Sequence, residues 1–217
     1  PSQCQSLSTM IEQLIANGII LGCIIALAAI GLSMAYKILN FANFAHGDFL
    51  TLGAYLTFFF SGLGLDFIAS GLLAVMAAAA FSVILDYLAW KPMRSNRASR
   101  TTIMILSIGV SLFMRNSVIV IFNPDVKRFA LPLREGIHLG GIVFTDFQAA
   151  VVLIAFAAML LVHSILSRTT LGKSMRALAD NPDLARISGI NVDRVIRSTW
   201  GISMGLAALS GIMYGLI

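Results

Sequence analysis

The sequence predicts an all-α integral membrane protein, a bundle of about six transmembrane helices in a single domain over residues 1–217. Three observations carry the prediction. Hydrophobic residues make up 58% of the chain and charged residues 12%, about half the charged share of an ordinary soluble domain. The apolar residues fall in runs long enough to cross a hydrocarbon core, which takes about 20 residues of helix. The basic residues behind the net charge of +5 collect in two short stretches between those runs. Placed there they report orientation rather than an anionic ligand, which excludes a nucleic-acid partner and leaves membrane lipid as the surroundings.

The first span covers residues 10–36, longer than needed and consistent with tilt. Residues 1–9 carry no basic region and the apolar run exceeds a signal core, so no cleavable signal peptide is expected. The first residue is proline, so the natural start is expected to lie upstream or to be processed. Cys4 and Cys23 are too few for a disulfide framework, and Cys23, inside the first span, reads as a small apolar residue. The second span, 48–63, is short and follows a polar interruption at 40–48. The third covers 67–90, the fourth 101–122 and the fifth 147–166; the sixth begins near Ser198 and runs to Ile217.

The loops set the polarity. Lys91, Arg94, Arg97 and Arg100 stand in residues 91–100 without an acid, and six basic residues outnumber three acids over 168–197. Loop 123–146 is balanced. Positive-inside places the first two stretches in the cytoplasm and the third outside, with the N-terminus outside; a re-entrant second span would reverse that parity. Pro124, Pro132, Gly136, Gly140 and Gly141 punctuate the outer loop around β-compatible residues 137–144. This pattern fits a small extracytoplasmic hairpin or lid, and equally an ordinary connector.

The interruption NFANFAHGD places Asn40, Asn43, His46 and Asp48 within nine residues between apolar runs. An ionisable group at the bilayer centre costs about 2.5–3.5 kcal/mol on the mildest scale, so it faces a cavity, a partner helix or the interface. Unwound backbone at that depth is tolerated only where protein or a water-filled space surrounds it, and Gly47 favours a break in the helix. The segment therefore reads as a transport-pathway element of the kind discontinuous helices form, or as a cytoplasmic turn beside Lys37. Two further intramembrane charges, Asp86 and Arg115, read as structural. Asp86 is expected to snorkel or pair locally, and Arg115, followed by Asn116, to find helix carbonyls or a carboxylate, substrate contact being the alternative for Arg115. His163 is expected at the interface.

Within 168–197, residues 171–179 read as a short helix. Asn181 can then cap a second one, with Pro182 in the first helical position and Asp183 favoured by the positive end of the dipole. Gly189 is a natural left-handed stop. A capped helix of about two turns in a basic loop is either a docking element or a solvated linker. The GxxxG pairs Gly18/Gly22, Gly201/Gly205 and Gly211/Gly215 are sufficiently explained by helix packing. No P-loop, HExxH, GxSxG or Cys/His metal spacing occurs, so no catalytic residue, metal or cofactor is expected and the energy for transport must come from elsewhere.

Two segments carry a family resemblance. AYKILNFANFAHGDFLTLGAY (residues 35–55) resembles the opening of the branched-chain amino acid permeases of bacterial ABC importers, whose signature is Asn-Phe-Ala-His-Gly-(Glu/Asp) followed by Leu-Gly-Ala-Tyr. GKSMRALADNPDLARISGIN (172–191) is similar to that family's ATPase-coupling loop, and residues 200–215 to the small-residue span that follows. The doubled Asn-Phe-Ala is similar to cyanobacterial neutral amino acid permeases. The resemblance implies a multi-pass subunit of the bacterial inner membrane, paired with a second permease subunit as a heterodimer. It further implies two cytoplasmic ATPases that hydrolyse the ATP, and an extracytoplasmic solute-binding protein. Asn40, Asn43, His46 and Asp48 become pathway candidates, a neutral His46 being able to bond a zwitterion without adding charge. Gly172, Asn181, Pro182, Asp183, Ala185 and Gly189 become the coupling element. The family chain is longer, so further helices are expected beyond Ile217. The expected function is ATP-driven import of branched-chain or other neutral amino acids; the alternatives are a urea or short-amide permease of the same kind and a passive solute channel.

Overall fold

The computed structural model describes residues 2–125, 127–129, 137–139 and 142–217. Pro132, Arg134, Glu135, Gly136, Gly140 and Gly141, which belong to the expected outer loop, lie outside the described residues. Helix α1 spans Ser2–Leu39, α2 His46–Gly62 and α3 Phe67–Leu85; a π-helical turn, Asp86–Trp90, leads into α4, Lys91–Ser95. Helix α5 spans Arg100–Phe122, and strands β1 (Ile137–Leu139) and β2 (Ile142–Phe144) pair antiparallel as a small hairpin. Then follow α6 (Asp146–Arg168), α7 (Thr170–Asp180), α8 (Pro182–Ile187) and α9 (Val192–Tyr214).

Among the described residues, four stretches are long and apolar enough to cross a membrane: Met10–Leu39, Phe67–Ser95, Arg100–Phe122 and Asp146–Arg168. The other two of the six expected spans, α2 and α9, differ for a physical reason. Helix α2 has only 17 residues, and α9 opens with Asp193, Arg194 and Arg197 and carries hydroxyls along its length. These two pack against each other, with α9 also against α1 and α3. A helix walled by protein answers to its neighbours rather than to lipid, so hydropathy marks it weakly. Its hydroxyls bond carbonyls at close range: Ser203 Oγ donates to Gly31 O at 2.6 Å and Ser210 Oγ to Ile24 O at 2.8 Å, tying α9 to α1.

Of the GxxxG pairs, Gly211 is the one in tight backbone contact, where a Cβ would overlap the Leu50 backbone of α2; Gly53 meets Ala208 of α9 in the same way. Gly18 and Gly22 face open space within the chain. The α2–α9 crossing is thus a place where two backbones approach closely.

The two basic stretches meet at one end of the bundle. Lys91 Nζ lies 3.7 Å from Asp193 Oδ2, and the rings of Trp90 and Trp200 are 4.5 Å apart. At the other end Phe129 packs on Phe67 at 5.2 Å and Tyr55 on Phe122 at 5.0 Å.

The third span runs on as one rod through the π turn to Ser95, a wide turn of a kind often found at sites under local demand. Its polar centre is Asp86, 1% exposed. Arg94 donates both terminal nitrogens to its two oxygens, at 2.7 and 3.0 Å, the local pairing expected for Asp86. Replacing Asp86 by Ala strands the Arg94 charge, and breaking such a buried pair typically costs about 3–5 kcal/mol. The unfolding midpoint of purified protein in detergent is expected to fall sharply for Asp86→Ala and to recover in part for Asp86→Leu combined with Arg94→Leu. An unchanged midpoint in the single variant would mean that the pair is idle.

Candidate functional site

The break between α1 and α2 is built by its asparagines. Asn40 adopts φ 61°, a left-handed conformation its short polar side chain tolerates, while its N–H bonds Tyr36 O at 2.9 Å and closes α1. Asn43 is buried; its Oδ1 accepts the Ala45 N–H at 3.1 Å, and that side-chain bond turns the chain into α2. His46, also buried, places Nε2 3.0 Å from Ala28 O, joining the start of α2 to α1. Asn43 Nδ2 and His46 Nδ1 are buried without a hydrogen-bond partner among the described residues.

Asp48 points the other way, to α5. Three α5 side chains one turn apart meet the break: Ser107 Oγ accepts the Phe44 N–H at 3.2 Å, Ser111 Oγ donates to Asp48 Oδ2, and Arg115 Nε lies 3.5 Å from Asp48 Oδ1. With a rise of about 1.5 Å per residue, Ser111 sits near the middle of α5. Beside these groups a cleft of about 300 Å³ opens between α2 and α5, completed by Phe44, Gly47, Thr51, Tyr55, Val118 and Ile119.

The nine-residue polar cluster is therefore divided. Asp48 lines the cleft together with Arg115, which the sequence reading had set apart as structural. Asn40, Asn43 and His46 shape and anchor the break and do not line the cleft. Ser107 and Ser111 went unremarked, although with Arg115 they recur at i, i+4 and i+8, the spacing of one helix face.

Arg115 is 66% exposed at its side chain while Asp48 is 8% exposed. A guanidinium at that height does not face hydrocarbon at low cost, so this face of α2 and α5 meets water or protein.

The stretch after α6 folds as two capped helices. Thr169 Oγ1 accepts the Gly172 N–H at 3.1 Å and starts α7; a Cβ on Gly172 would overlap the carbonyls of Ile165 and Leu166, so α7 folds tightly back on the end of α6. Asn181 Oδ1 accepts from Asp183 N and Leu184 N, both at 3.0 Å, capping α8, with Pro182 in its first turn. At the far end Gly189 N bonds Arg186 O and Ile190 N bonds Ala185 O, both at 3.1 Å, with Gly189 at φ 83°. That bond pattern is the Schellman stop. Ala185 is buried, whereas Leu184 and Ile187 are 56% and 82% exposed. Among the described residues no group of His, Cys, Asp and Glu is arranged to hold a metal ion.

The family described as "Branched-chain amino acid transport system / permease component" matches residues 14–217. The high-affinity branched-chain amino acid transport system permease protein BraD of Pseudomonas aeruginosa is 31% identical over 220 residues, covering 94% of this chain and 70% of its own length. Its counterpart LivH of Escherichia coli is 32% identical over 215 residues, covering 92% and 68%. A tyrosine transport system permease protein of Clostridioides difficile is 24% identical over 188 residues, covering 87% and 59%. No solved structure matches this chain.

Proposed function

The chain belongs to the branched-chain amino acid transport permease family, and from that premise we propose that solute crosses at the α2–α5 cleft and that α7 and α8 receive the ATPase. The protein is the membrane-embedded transport subunit of an ATP-driven importer for branched-chain amino acids. It is a multi-pass inner-membrane protein and not itself an enzyme; separate ATPase subunits hydrolyse ATP, and a substrate-binding protein is its other partner. Membership favours this function over urea or amide import and over a passive channel.

One observation carries the pathway reading: an ion pair, Asp48 with Arg115, opening at mid-height of α5 onto a cleft. Arg115 is too exposed for lipid, which supports a second permease subunit facing α2 and α5 across a hydrated path. Asn43 and His46 contribute by fixing the break that aims Asp48, and Asn40 by ending α1. In this reading the end bearing Lys91, Arg94, Arg97 and Arg100 is cytoplasmic, together with residues 168–197, and two ATPases dock there, one per permease subunit. The coupling reading is supported by a rigid short helix, capped at both ends, that presents two apolar side chains away from the bundle.

Thr51, exposed on the cleft wall, gives the test. In the assembled importer reconstituted in liposomes, Thr51→Trp fills the cleft, and leucine uptake is expected to fall to background with subunit assembly and binding-protein docking intact. Normal uptake by Thr51→Trp would rule out the cleft as the path.

A further inference from the structure

We propose that the α2–α5 cleft binds the zwitterionic head of an α-amino acid, the Asp48 carboxylate taking the ammonium group and the Arg115 guanidinium taking the carboxylate. This deepens, and rests on, the reading of the cleft as the solute path.

Among the described residues, the two intramembrane ion pairs are built differently. Arg94 meets Asp86 fork to fork, with its two terminal nitrogens on the two oxygens at 2.7 and 3.0 Å, which occupies the guanidinium fork, and Asp86 is buried. Arg115 comes no closer to Asp48 than 3.5 Å, from Nε, well beyond the length of a strong charge-assisted bond of about 2.7–2.9 Å. Its two terminal nitrogens make no hydrogen bond among the described residues. They form the planar fork that binds a carboxylate through two parallel bonds. Asp48 has one oxygen held by Ser111 and the other in that loose contact, and a carboxylate offers about four acceptor positions. Ser111 fixes the carboxylate while leaving room on it.

The charge pattern selects the ligand. A simple anion would meet Asp48, and a simple cation would meet Arg115. A ligand bearing both charges close together satisfies both groups. In an α-amino acid the ammonium nitrogen and the carboxyl carbon lie only about 2.5 Å apart, two bonds through Cα. The zwitterion also brings no net charge to mid-membrane. Phe44, Val118 and Ile119 supply an apolar wall for its side chain, and the cleft of about 300 Å³ is at the small end of ligand sites. Specificity for the amino acid head would thus reside in the permease itself.

The test uses the assembled importer in liposomes, with Cys4→Ser, Cys23→Ala and a reporter thiol at Thr51→Cys. The rate of its modification by a methanethiosulfonate reagent is measured with leucine, with 4-methylpentanoate (no ammonium) and with 3-methylbutylamine (no carboxylate). Leucine is expected to slow modification and the two single-charge analogues to leave it unchanged; Asp48→Asn and Arg115→Gln should each abolish the protection. Failure of leucine to protect, equal protection by either analogue, or protection surviving both substitutions overturns the proposal. The ligand comparison needs neither charge variant, so it decides the matter even where one fails to assemble. Loss of uptake in Thr51→Trp without leucine protection would remove the zwitterion site and keep the path. Normal uptake in Thr51→Trp would remove the path itself.

Discussion

Leu184→Asp combined with Ile187→Asp is expected to abolish ATP-driven leucine uptake while leaving the permease folded in the membrane. The two side chains stand out of α8 one turn apart, at 56% and 82% exposure, so the substitutions disturb no packing within the chain. Helix α8 keeps its Asn181 cap, its Schellman stop and its buried Ala185. What changes is the surface offered to a partner. An apolar anchor at the centre of an interface commonly contributes about 2 kcal/mol or more, and two carboxylates in its place add a desolvation cost. Co-purification of the ATPase and uptake should fail together, with the detergent-extracted permease retaining its elution profile. Full uptake by the double variant would move ATPase docking off α8. A milder companion is Gly189→Ala, which forces a Cβ into φ 83° and should loosen the stop and lower uptake without eliminating it.

Gly211→Leu is expected to be the most damaging single substitution for assembly. A Cβ at Gly211 would overlap the Leu50 backbone, and one at Gly53 the Ala208 backbone. The obstacle in both cases is main chain, which cannot turn aside as a flexible side chain does. Overpacking a side-chain core usually costs about 1–3 kcal/mol; here the helices must separate, and with them the Ser203 and Ser210 bonds to α1. The yield of monodisperse protein and its resistance to limited proteolysis should collapse for Gly211→Leu and Gly53→Leu. Gly18→Leu, which faces open space, serves as the control and should leave the isolated chain unchanged. Retained protease resistance in Gly211→Leu would mean that the α2–α9 contact does not hold the bundle together.

The caps of α8 were legible residue by residue, because Asn181, Pro182, Asp183 and Gly189 act on backbone within one turn of themselves. The partner of Asp86 was legible in kind, since Arg94 lies eight residues away on the same rod. The division of residues 40–48 was not legible. Asn40, Asn43, His46 and Asp48 look alike in a polar run, and which of them turns to α1 and which to α5 depends on how the break is seated against helices distant in sequence. The i, i+4, i+8 stripe of Ser107, Ser111 and Arg115 was visible, but nothing in α5 alone says what faces it.

By itself the sequence determined that this is a polytopic helical membrane protein, where its helix is broken, and where a capped element sits in its basic loop. Hydropathy, polar interruptions and caps are local quantities, and it carried the permease family's two signatures as well. Only the tertiary structure decided that the short α2 and the polar α9 form the centre, that Gly53 and Gly211 are the glycines that let those two backbones meet, and that Asp48 and Arg115 share a cleft. Those outcomes depend on contacts between segments separated by 63 to 186 residues, and such contacts are set by how helices seat on one another.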